Sequence, residues 1–262
     1  MISEGFIEPH FFAGYSGGRK SILPGIAGKN TIFANHCSEF IADMNARTGI
    51  LKDNPIHKDM LFAAEKAKLA FILNVVINSK KRIVNSFAGN FIKAHEKGCE
   101  FLQSLAEKKA IKPGIVITSN GGYPLDQNIY QAVKGMTAAE ACAKPGGVII
   151  MVAACNEGHG GESFYRWFSE ASSPKEVFDR IKLIPRDETV ADQWQAQILA
   201  RILMKYKVIM VSEIQNRKLI EKMHMIYASS IDEALDKAWK ITNHDAGIVV
   251  IPDGVGVIIR DN

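Results

Sequence analysis

The residues with the clearest chemical potential lie near the start of the chain, in the segment GYSGGRKSILPG at 14–25. This segment is rich in glycine and contains adjacent basic residues, Arg19 and Lys20, while His10 precedes it and His36 follows it. Glycines expose backbone N–H groups that can bind an anion, and a lysine can neutralise charge or act as a nucleophile. The segment therefore predicts an anion-binding loop, a reactive lysine, or both.

A Walker A phosphate loop matches these residues poorly. That motif reads G-x-x-x-x-G-K-[ST] after a buried strand, and here Arg19 stands where the second glycine is required. Two interpretations stay open from local composition. One is a flexible surface loop, and the other is an anion site to which Arg19 and Lys20 supply charge. In the anion site the backbone N–H donors would come from Ser16, Gly17 and Gly18.

Lys20 is also a candidate for covalent chemistry. A neighbouring cation such as Arg19 lowers the pKa of a lysine ammonium, and the neutral amine is nucleophilic. The histidines at 10 and 36 can exchange protons near neutral pH, and either imidazole can bind a metal. The local sequence offers no second ligand for a protein-only metal site, so we expect a cofactor to complete the coordination of any metal bound here.

Four stretches of the sequence together resemble the nickel-dependent lactate racemase family. They are EPHFFAGYSGGRKSILPGIAG at 8–28, NH at 35–36, YQAVKG at 130–135 and DQWQ at 192–195. The resemblance spans all 262 residues and corresponds to the carboxyl-terminal three-fifths of the family protein. It implies an isomerase that uses nickel in a nickel-pincer nucleotide, pyridinium-3,5-bisthiocarboxylic acid mononucleotide, bonded covalently to a lysine.

The resemblance implies a role for each matching residue in the first part of the chain. Lys20 falls on the lysine that bonds the cofactor as a thioamide, and His36 falls on the histidine that coordinates nickel. His10 falls on one of two acid/base histidines, which racemisation needs because each enantiomer requires its own base.

A second cluster implied by the resemblance surrounds the cofactor and the substrate. Tyr130, Gln131 and Lys134 fall on cofactor-binding positions, with Lys134 pairing with the substrate carboxylate or the cofactor phosphate. Trp194 falls on a tryptophan of the substrate pocket. From the residues alone, Lys134 is better explained as a solvated helix lysine, and Trp194 is equally explained as a packing anchor.

The implied reaction interconverts the enantiomers of a short 2-hydroxy acid, with lactate the expected substrate, by hydride transfer to the cofactor. The family protein is longer at its amino end, so we expect this chain to lack the amino-terminal segment that carries the second acid/base histidine. The chain alone would then be inactive, and a partner chain or the missing segment would supply the rest. The alternatives are an epimerase or racemase of another 2-hydroxy acid or sugar acid, and a non-catalytic module that binds a nucleotide-like anion.

The elements that must position these residues follow an α/β pattern. From residue 112 onward, apolar runs typical of strands alternate with helical patterns, as in βαβ units on a parallel sheet. This predicts a Rossmann-like domain over 112–252, flanked by a partial cofactor-binding α/β domain over 1–111. A tail over 253–262 is expected to return to the first domain. The expected strands lie at 69–77, 82–87, 114–119, 147–153, 207–212, 224–228 and 247–251, and the main helices at 90–109, 127–143, 162–170, 174–182, 190–205, 215–222 and 230–241.

Composition excludes several other classes of protein. The net charge is +4, and the basic residues are interspersed with acidic ones, so nothing indicates a nucleic-acid partner. No apolar run reaches the roughly 20 residues of a membrane-spanning helix, and the start of the chain lacks the pattern of a secretory signal. The four cysteines contain no C-x-x-C pair. These features predict a soluble cytoplasmic protein without a disulfide framework.

Overall fold

The computed structural model describes residues 1–261, which form two compact units. The first unit comprises Met1–Glu107 together with Pro185–Thr189, and the second comprises Lys108–Ile184 together with the chain from Val190 onward. The border after Glu107 lies close to the domain boundary expected at 111/112. The assignment of residues 185–189 to the first unit has no counterpart in the sequence-based prediction.

Short strands and helices build the first unit. The strands are β1 (Ile2–Phe6), β2 (Pro9–His10), β3 (Gly14–Tyr15), β4 (Phe71–Ile77) and β5 (Ile83–Gly89). The helices are α1 (Lys29–Asn35), α2 (Ser38–Ala42), α3 (Pro55–Lys66) and α4 (Lys93–Ala106). Strand β1 pairs in parallel with β4, β4 pairs antiparallel with β5, and β2 and β3 form a separate hairpin.

Strand β4 contacts the glycine-rich loop directly. Its residues alternate between exposed and buried side chains, as expected for a strand with one covered face. Ile72 packs in a core with Ile22 and Phe91, and Asn74 is fully buried beside them on the same face. The Asn74 side-chain oxygen accepts a hydrogen bond from the Gly18 N–H at 2.8 Å, so the strand fixes the loop directly.

The segment Pro185–Thr189 is held in the first unit by Arg186. The Arg186 guanidinium lies over the Phe40 ring, 4.5 Å from its centroid, and its Nε donates to the Ala34 carbonyl at 3.0 Å. A weaker contact joins it to the Asp59 carboxylate at 3.4 Å. A distant part of the chain thus completes the packing around α1 and α2.

The second unit is organised around a five-stranded sheet of order β10-β9-β8-β7-β11 in which every neighbouring pair is parallel. The strands are β6 (Glu107–Lys109), β7 (Ile115–Thr118), β8 (Val148–Val152), β9 (Lys207–Val211), β10 (Ile226–Ala228), β11 (Ile248–Ile251) and β12 (Ile258–Arg260). The helices are α5 (Ile129–Cys142), α6 (Glu162–Ser169), α7 (Pro174–Lys182), α8 (Gln193–Lys205), α9 (Arg217–Lys222) and α10 (Ile231–Ile241). The predicted α/β fold class, with a helix-flanked parallel sheet in the second part of the chain, is confirmed.

Strands β7 and β8 are interior strands of this sheet and have almost continuously apolar sequences, IVIT and VIIMV. Such runs are typical of parallel strands that are covered on both faces. Ile115, Val148, Ile150 and Ile209 are fully buried in one core with α10. The carboxyl ends of β7 and β8 consequently form a rigid edge on which loops can hold functional side chains.

The end of the chain belongs to the second unit. Strand β12 pairs with β6 in a two-stranded sheet, and the Gly254 N–H donates to the Ser119 carbonyl beside β7 at 2.8 Å. The expected return of the tail 253–262 to the first domain is therefore not found in residues 253–261. None of the helices in the described chain combines the length and the hydropathy that crossing a bilayer requires.

Candidate functional site

In the first unit, His10 and His36 contact the same aromatic side chain. His10 ends β2, and the hairpin turn after it carries Phe12, which is buried. The centroid of the Phe12 ring lies 4.5 Å from that of His10 and 5.1 Å from that of His36, and the ring is edge-on to both. We call these residues the His–Phe–His cluster. Two histidines that are 26 positions apart in sequence thus become neighbours (36 − 10 = 26).

His36 is a buried and neutral imidazole. Its Nδ1 lies 2.9 Å from the Ile32 carbonyl oxygen and must be the donor, because a carbonyl oxygen can only accept. Burial lowers the pKa of His36 to about 4, and the charge of Lys20 contributes in the same direction. With the proton on Nδ1, the lone pair lies on Nε2. This is the state in which a histidine binds a metal while a backbone carbonyl orients the ring.

Lys20 belongs to the same neighbourhood. It lies in the 3-10 turn Gly18–Ser21, where its N–H donates to the Gly17 carbonyl at 3.0 Å, and its side chain is half-buried. The charge of Lys20 acts in the same direction as burial on the pKa of His36, so Lys20 lies within electrostatic range of that ring.

The Nδ1 atom of His10 accepts a hydrogen bond from the Ala13 N–H at 3.2 Å, across the turn of the β2–β3 hairpin. A neutral ring that accepts at Nδ1 carries its proton on Nε2. Nε2 of His10 is therefore a donor in this geometry, in contrast to Nε2 of His36.

The backbone of the glycine-rich loop is bonded more tightly to the protein than the sequence suggests. The Ser16 N–H donates to the Glu8 carbonyl at 2.9 Å, and the Gly18 N–H donates to Asn74. Both donors were expected to face an anion, and the structure gives each a protein acceptor instead. An anion-binding role for this loop stays a prediction, and it now depends on Gly17 and Lys20.

Arg19 turns away from Lys20 into the interior. It is fully buried, and its Nη1 and Nη2 atoms donate to the carbonyls of Tyr15 at 2.8 Å and Ala13 at 2.6 Å. Burial lowers the pKa of Arg19 to about 10. The expectation that Arg19 offers its charge to an anion is wrong, because its guanidinium serves as an internal brace for the loop that carries Lys20.

Two histidines that the sequence left without a role surround this guanidinium. Nε of Arg19 donates to Nδ1 of His57 at 2.9 Å, and Nη1 lies 3.2 Å from Nε2 of His95. Burial lowers the pKa of both histidines to about 3, and the charge of Arg19 adds to the effect. Asn54 positions His57, because its side chain caps α3 by accepting from the His57 N–H at 3.3 Å. No local pattern in the sequence identifies these partners of Arg19.

In the second unit, the start of α5 lies beyond the carboxyl end of β7, as the sequence predicts. Asn128 caps the helix by accepting from the Gln131 N–H at 3.0 Å. The Tyr130 N–H donates to the His159 carbonyl at 3.2 Å, so the loop after β8 fixes the first turn of α5. The His159 ring stacks on the Tyr165 ring with centroids 5.1 Å apart.

Tyr130 and Trp194 are brought together by α5 and α8. The Trp194 indole Nε1 donates to the Tyr130 hydroxyl at 3.1 Å, and Gln195 Nε2 donates to the Tyr130 carbonyl at 2.5 Å. Burial raises the pKa of Tyr130 to about 12, so the hydroxyl keeps its proton at neutral pH. Lys134 is half-buried one helical turn after Tyr130. The buried Oε1 of Gln131 has no hydrogen-bond partner among residues 1–261, and an acceptor in this position suits a ligand donor.

These observations define an α/β protein with a neutral histidine, a neighbouring lysine and, in its parallel-sheet unit, a polar cluster at the edge of the sheet. The family model for the lactate racemase C-terminal domain matches residues 108–259, and the model for the lactate racemase N-terminal domain matches residues 1–49. The chain belongs to the lactate racemase family.

Known proteins resemble this chain over nearly all of its length. It is 62% identical over 261 residues to the lactate racemase of Thermoanaerobacterium thermosaccharolyticum, in an alignment that covers 100% of this chain and 61% of that protein. It is 56% identical over 260 residues to the lactate racemase of Lactiplantibacillus plantarum, in an alignment that covers 99% of this chain and 61% of that protein. The chain therefore spans about three-fifths of the length of these relatives.

Solved structures share the fold of this chain. The lactate racemase apoprotein from T. thermosaccharolyticum superposes with a TM-score of 0.98 at 62% identity, covering 99% of this chain and 62% of that one. A Thermotoga maritima protein superposes with a TM-score of 0.70 at 20% identity, covering 99% of this chain and 66% of that one, and shares the fold.

The expectation that the chain lacks the amino-terminal segment of the family protein is wrong. Residues 1–49 match the N-terminal domain of the family, so residues of that domain are present here. A missing partner chain likewise finds no support in the comparisons.

Proposed function

We propose that this chain carries the cofactor-binding and substrate-binding residues of a lactate racemase, which interconverts the enantiomers of lactate or a related short 2-hydroxy acid. The observation that carries the proposal is the grouping of Lys20 with the His–Phe–His cluster in a chain 62% identical to a lactate racemase. Lysine and neutral histidine side chains supply the covalent and metal-binding chemistry that such an enzyme requires.

The residues fit a nickel-pincer nucleotide. His36 would coordinate nickel through Nε2, since burial keeps the ring neutral and the Ile32 carbonyl holds the proton on Nδ1. Lys20 would form the covalent bond to the nucleotide. In residues 1–261 no three His, Cys, Asp or Glu side chains are arranged to hold a metal, which suits a metal whose other ligands belong to a cofactor. When bound, the nucleotide supplies a centre that accepts a hydride from C2 of the substrate and returns it.

His10 would handle the proton of the substrate hydroxyl at Nε2. In the structure the Ala13 N–H occupies Nδ1, so the neutral ring would donate a hydrogen bond from Nε2 to the substrate oxygen. To take up a proton at Nε2, the ring must instead carry its proton on Nδ1 and give up the contact with Ala13. Proton uptake by His10 is therefore coupled to a change at the hairpin turn.

The residues of α5 and α8 would bind the organic parts of the ligands. The Lys134 ammonium would pair with the substrate carboxylate or the cofactor phosphate, and the buried Oε1 of Gln131 would accept a hydrogen bond from a ligand. The Trp194 indole would form a wall of the substrate pocket, with Tyr130 behind it. We also propose a cytoplasmic location, where the buried free thiols of the four cysteines would stay reduced.

The proposal is tested by expressing the chain together with the enzymes that make the cofactor. Intact-protein mass spectrometry should detect an adduct, metal analysis should detect one nickel per adduct, and a chiral assay should detect conversion of L-lactate to D-lactate. The assay is run on these 262 residues and, beside them, on a protein of the relatives' full length.

Substitutions distinguish the proposed covalent role of Lys20 from the proposed metal-binding role of His36. Lys20→Ala should abolish the adduct, whereas the control Lys29→Ala, whose ammonium lies over the Phe33 ring, should keep it. His36→Ala should keep the adduct and lose most of the nickel, and the control His244→Ala at an exposed position should keep both. An adduct and nickel without turnover in the longer protein would favour the binding-module alternative. An adduct that survives Lys20→Ala would refute the assignment.

A further inference from the structure

The backbone between His10 and Lys20 directs its carbonyl groups into the protein. Each carbonyl oxygen of residues 12–17 accepts a hydrogen bond from another group of the first unit. The donors, in chain order of the acceptors, are Asn54 Nδ2, Arg19 Nη2, the Gly49 N–H, Arg19 Nη1, His95 Nε2 and the Lys20 N–H. Arg19 is the one side chain that occurs twice in this series, so it holds more of the segment than any other donor.

Arg19 reaches both ends of the segment. Its Nη2 donates to the Ala13 carbonyl at 2.6 Å, and the N–H of the same alanine donates to Nδ1 of His10 at 3.2 Å. Its Nη1 donates to the Gly17 carbonyl at 3.3 Å, which also accepts the Lys20 N–H at 3.0 Å. One guanidinium therefore contacts the residue that holds the His10 ring and the residue that closes the turn of Lys20.

The acceptors of Arg19 are all neutral. Among residues 1–261 they are three backbone carbonyls and Nδ1 of His57, which lies 2.9 Å from Nε. A buried charge is costly unless nearby groups compensate for the lost water, and an acidic side chain is the usual partner. Here carbonyl dipoles compensate for it, and they do so only while the segment keeps its conformation. The burial of Arg19 and the conformation of residues 12–17 thus depend on each other.

Two histidines fix the guanidinium on either side. Nε2 of His95 lies 2.9 Å from the Ser16 carbonyl oxygen and must be the donor, because a carbonyl oxygen can only accept. It therefore cannot also accept from Arg19 Nη1, 3.2 Å away, and these two donors lie side by side because they bind adjacent carbonyls. His57 accepts from the opposite edge of the guanidinium.

We propose that Arg19 is a positioning residue whose guanidinium holds the His10 ring and the Lys20 turn in one fixed arrangement. For its effect on racemisation the inference rests on the proposed function, in which His10 handles the substrate proton and Lys20 bonds the cofactor. Arg19 is fully buried and touches no reacting atom in this scheme. Its replacement should loosen both ends of the segment together.

The first test measures amide hydrogen exchange on the chain without cofactor. Arg19→Lys keeps the charge and loses the planar fork that reaches both ends of the segment. We expect exchange at the Ala13 and Lys20 amides to become faster together, by about tenfold or more, with a smaller change in β4. A rise at only one of the two amides, an equal rise throughout β4, or unchanged rates would overturn the proposal.

A milder pair of variants decides the question even if Arg19→Lys does not fold. His57→Leu removes the acceptor of Arg19 Nε and should also speed exchange at both amides, whereas His57→Asn offers an oxygen near the position of Nδ1 and should restore slow exchange. The matched control is Arg201→Lys, a buried arginine of the second unit whose partner is a carboxylate, and it should leave both rates unchanged. Equal exchange in His57→Leu and His57→Asn would contradict the proposal.

The second test measures turnover per adduct in the cofactor-loaded protein of the relatives' full length. Arg19→Lys should lower kcat by about tenfold or more with little change in KM, because it misplaces the acid/base group relative to the cofactor. The loss should be smaller when His10→Gln is already present. An equal loss in both backgrounds would refute action through His10. If the unsubstituted protein showed no racemisation, the proposed function would fail while the exchange rates still decided the role of Arg19.

Discussion

Gly18 occupies a position where neither the backbone conformation nor the surrounding space admits a side chain. Its φ is +54°, and a Cβ would lie 2.7 Å from the ring of His95, which is itself packed against Arg19. This first residue of the turn that carries Lys20 is therefore fixed by the interior of the first unit. Position 18 requires a glycine because of this contact with His95, whether or not the loop binds a phosphate.

We expect Gly18→Ala to lower the free energy of unfolding by about 2–3 kcal/mol, through left-handed strain and displacement of His95. Two glycines separate these causes. Gly146→Ala retains only the strain, since its φ is +76° with nothing within 4 Å, and Gly28→Ala has neither feature. Urea denaturation should rank the losses in the order Gly18, Gly146, Gly28. Equal losses for Gly18→Ala and Gly28→Ala would contradict this interpretation of the loop.

At the level of single residues, the sequence does not predict the direction in which a side chain points. The spacing of His10, Lys20 and His36, together with the family resemblance, marks the residues that the structure gathers. Arg19 and Lys20 are adjacent, yet Arg19 enters the interior because its acceptors are carbonyls that only the folded hairpin and loop present to it. No local pattern encodes such a set of acceptors.

Helices α5 and α8, which carry Tyr130 and Trp194, are joined by a buried ion pair. Arg201 on α8 binds Glu140 on α5 through two hydrogen bonds, of 3.0 Å and 2.7 Å. Both side chains are about nine-tenths buried, at 10% and 12% exposure. A bidentate pair of this kind constrains the distance and the rotation between the two helices.

Removing one partner of this pair should be costly. We expect Arg201→Ala to lower the free energy of unfolding by about 3–5 kcal/mol, since it leaves the Glu140 carboxylate buried without its main partner. Arg166→Ala, which breaks an exposed pair with Glu162 one turn away, should cost far less, because solvent screens that pair. Thermal or urea unfolding measures both. A loss as small for Arg201 as for Arg166 would show that the pair does not clamp the helices.

Elements were predictable in proportion to their length and periodicity. The helices of the second unit and the strands of its five-stranded sheet lie within a few residues of their expected positions, because apolar strands and amphipathic helices alternate there with clear turns. Strands β6 and β12 have no counterpart among the expected strands. In the first unit, β2 and β3 have two residues each and α1 and α2 only seven and five. Segments this short owe their conformation to tertiary contacts, so periodicity does not reveal them.

Across the whole molecule, buried neutral histidines make stability sensitive to acid. The folded-state pKa values are about 4 for His36 and about 3 for His57 and His95, against 6.5 for an ordinary histidine. The unfolded chain therefore binds protons first as the pH falls. The contribution of these neutral rings to stability is complete above pH 6.5 and is lost progressively toward pH 3–4.

We expect the free energy of unfolding to fall between pH 6 and pH 4 by about 1.4 kcal/mol per pH unit for each of these histidines. Urea midpoints measured at pH 7, 6, 5 and 4 would give the slope, and hydrogen exchange would locate the loss in the first unit. The exposed His244→Gln should leave the slope unchanged. A midpoint that is constant from pH 7 to pH 4 would rule out the buried neutral state of these rings.

Because Pro185–Thr189 packs in the first unit, that unit cannot complete its fold as soon as Met1–Glu107 has been synthesised. Arg186 must pack on Phe40 and the Ala34 carbonyl, but the ribosome makes it only after residues 108–184 have been added. An amino-terminal domain usually completes its fold first during translation. Here the nascent first unit has to wait, with the surface around Phe40 uncovered, until much of the parallel-sheet unit has already left the exit tunnel.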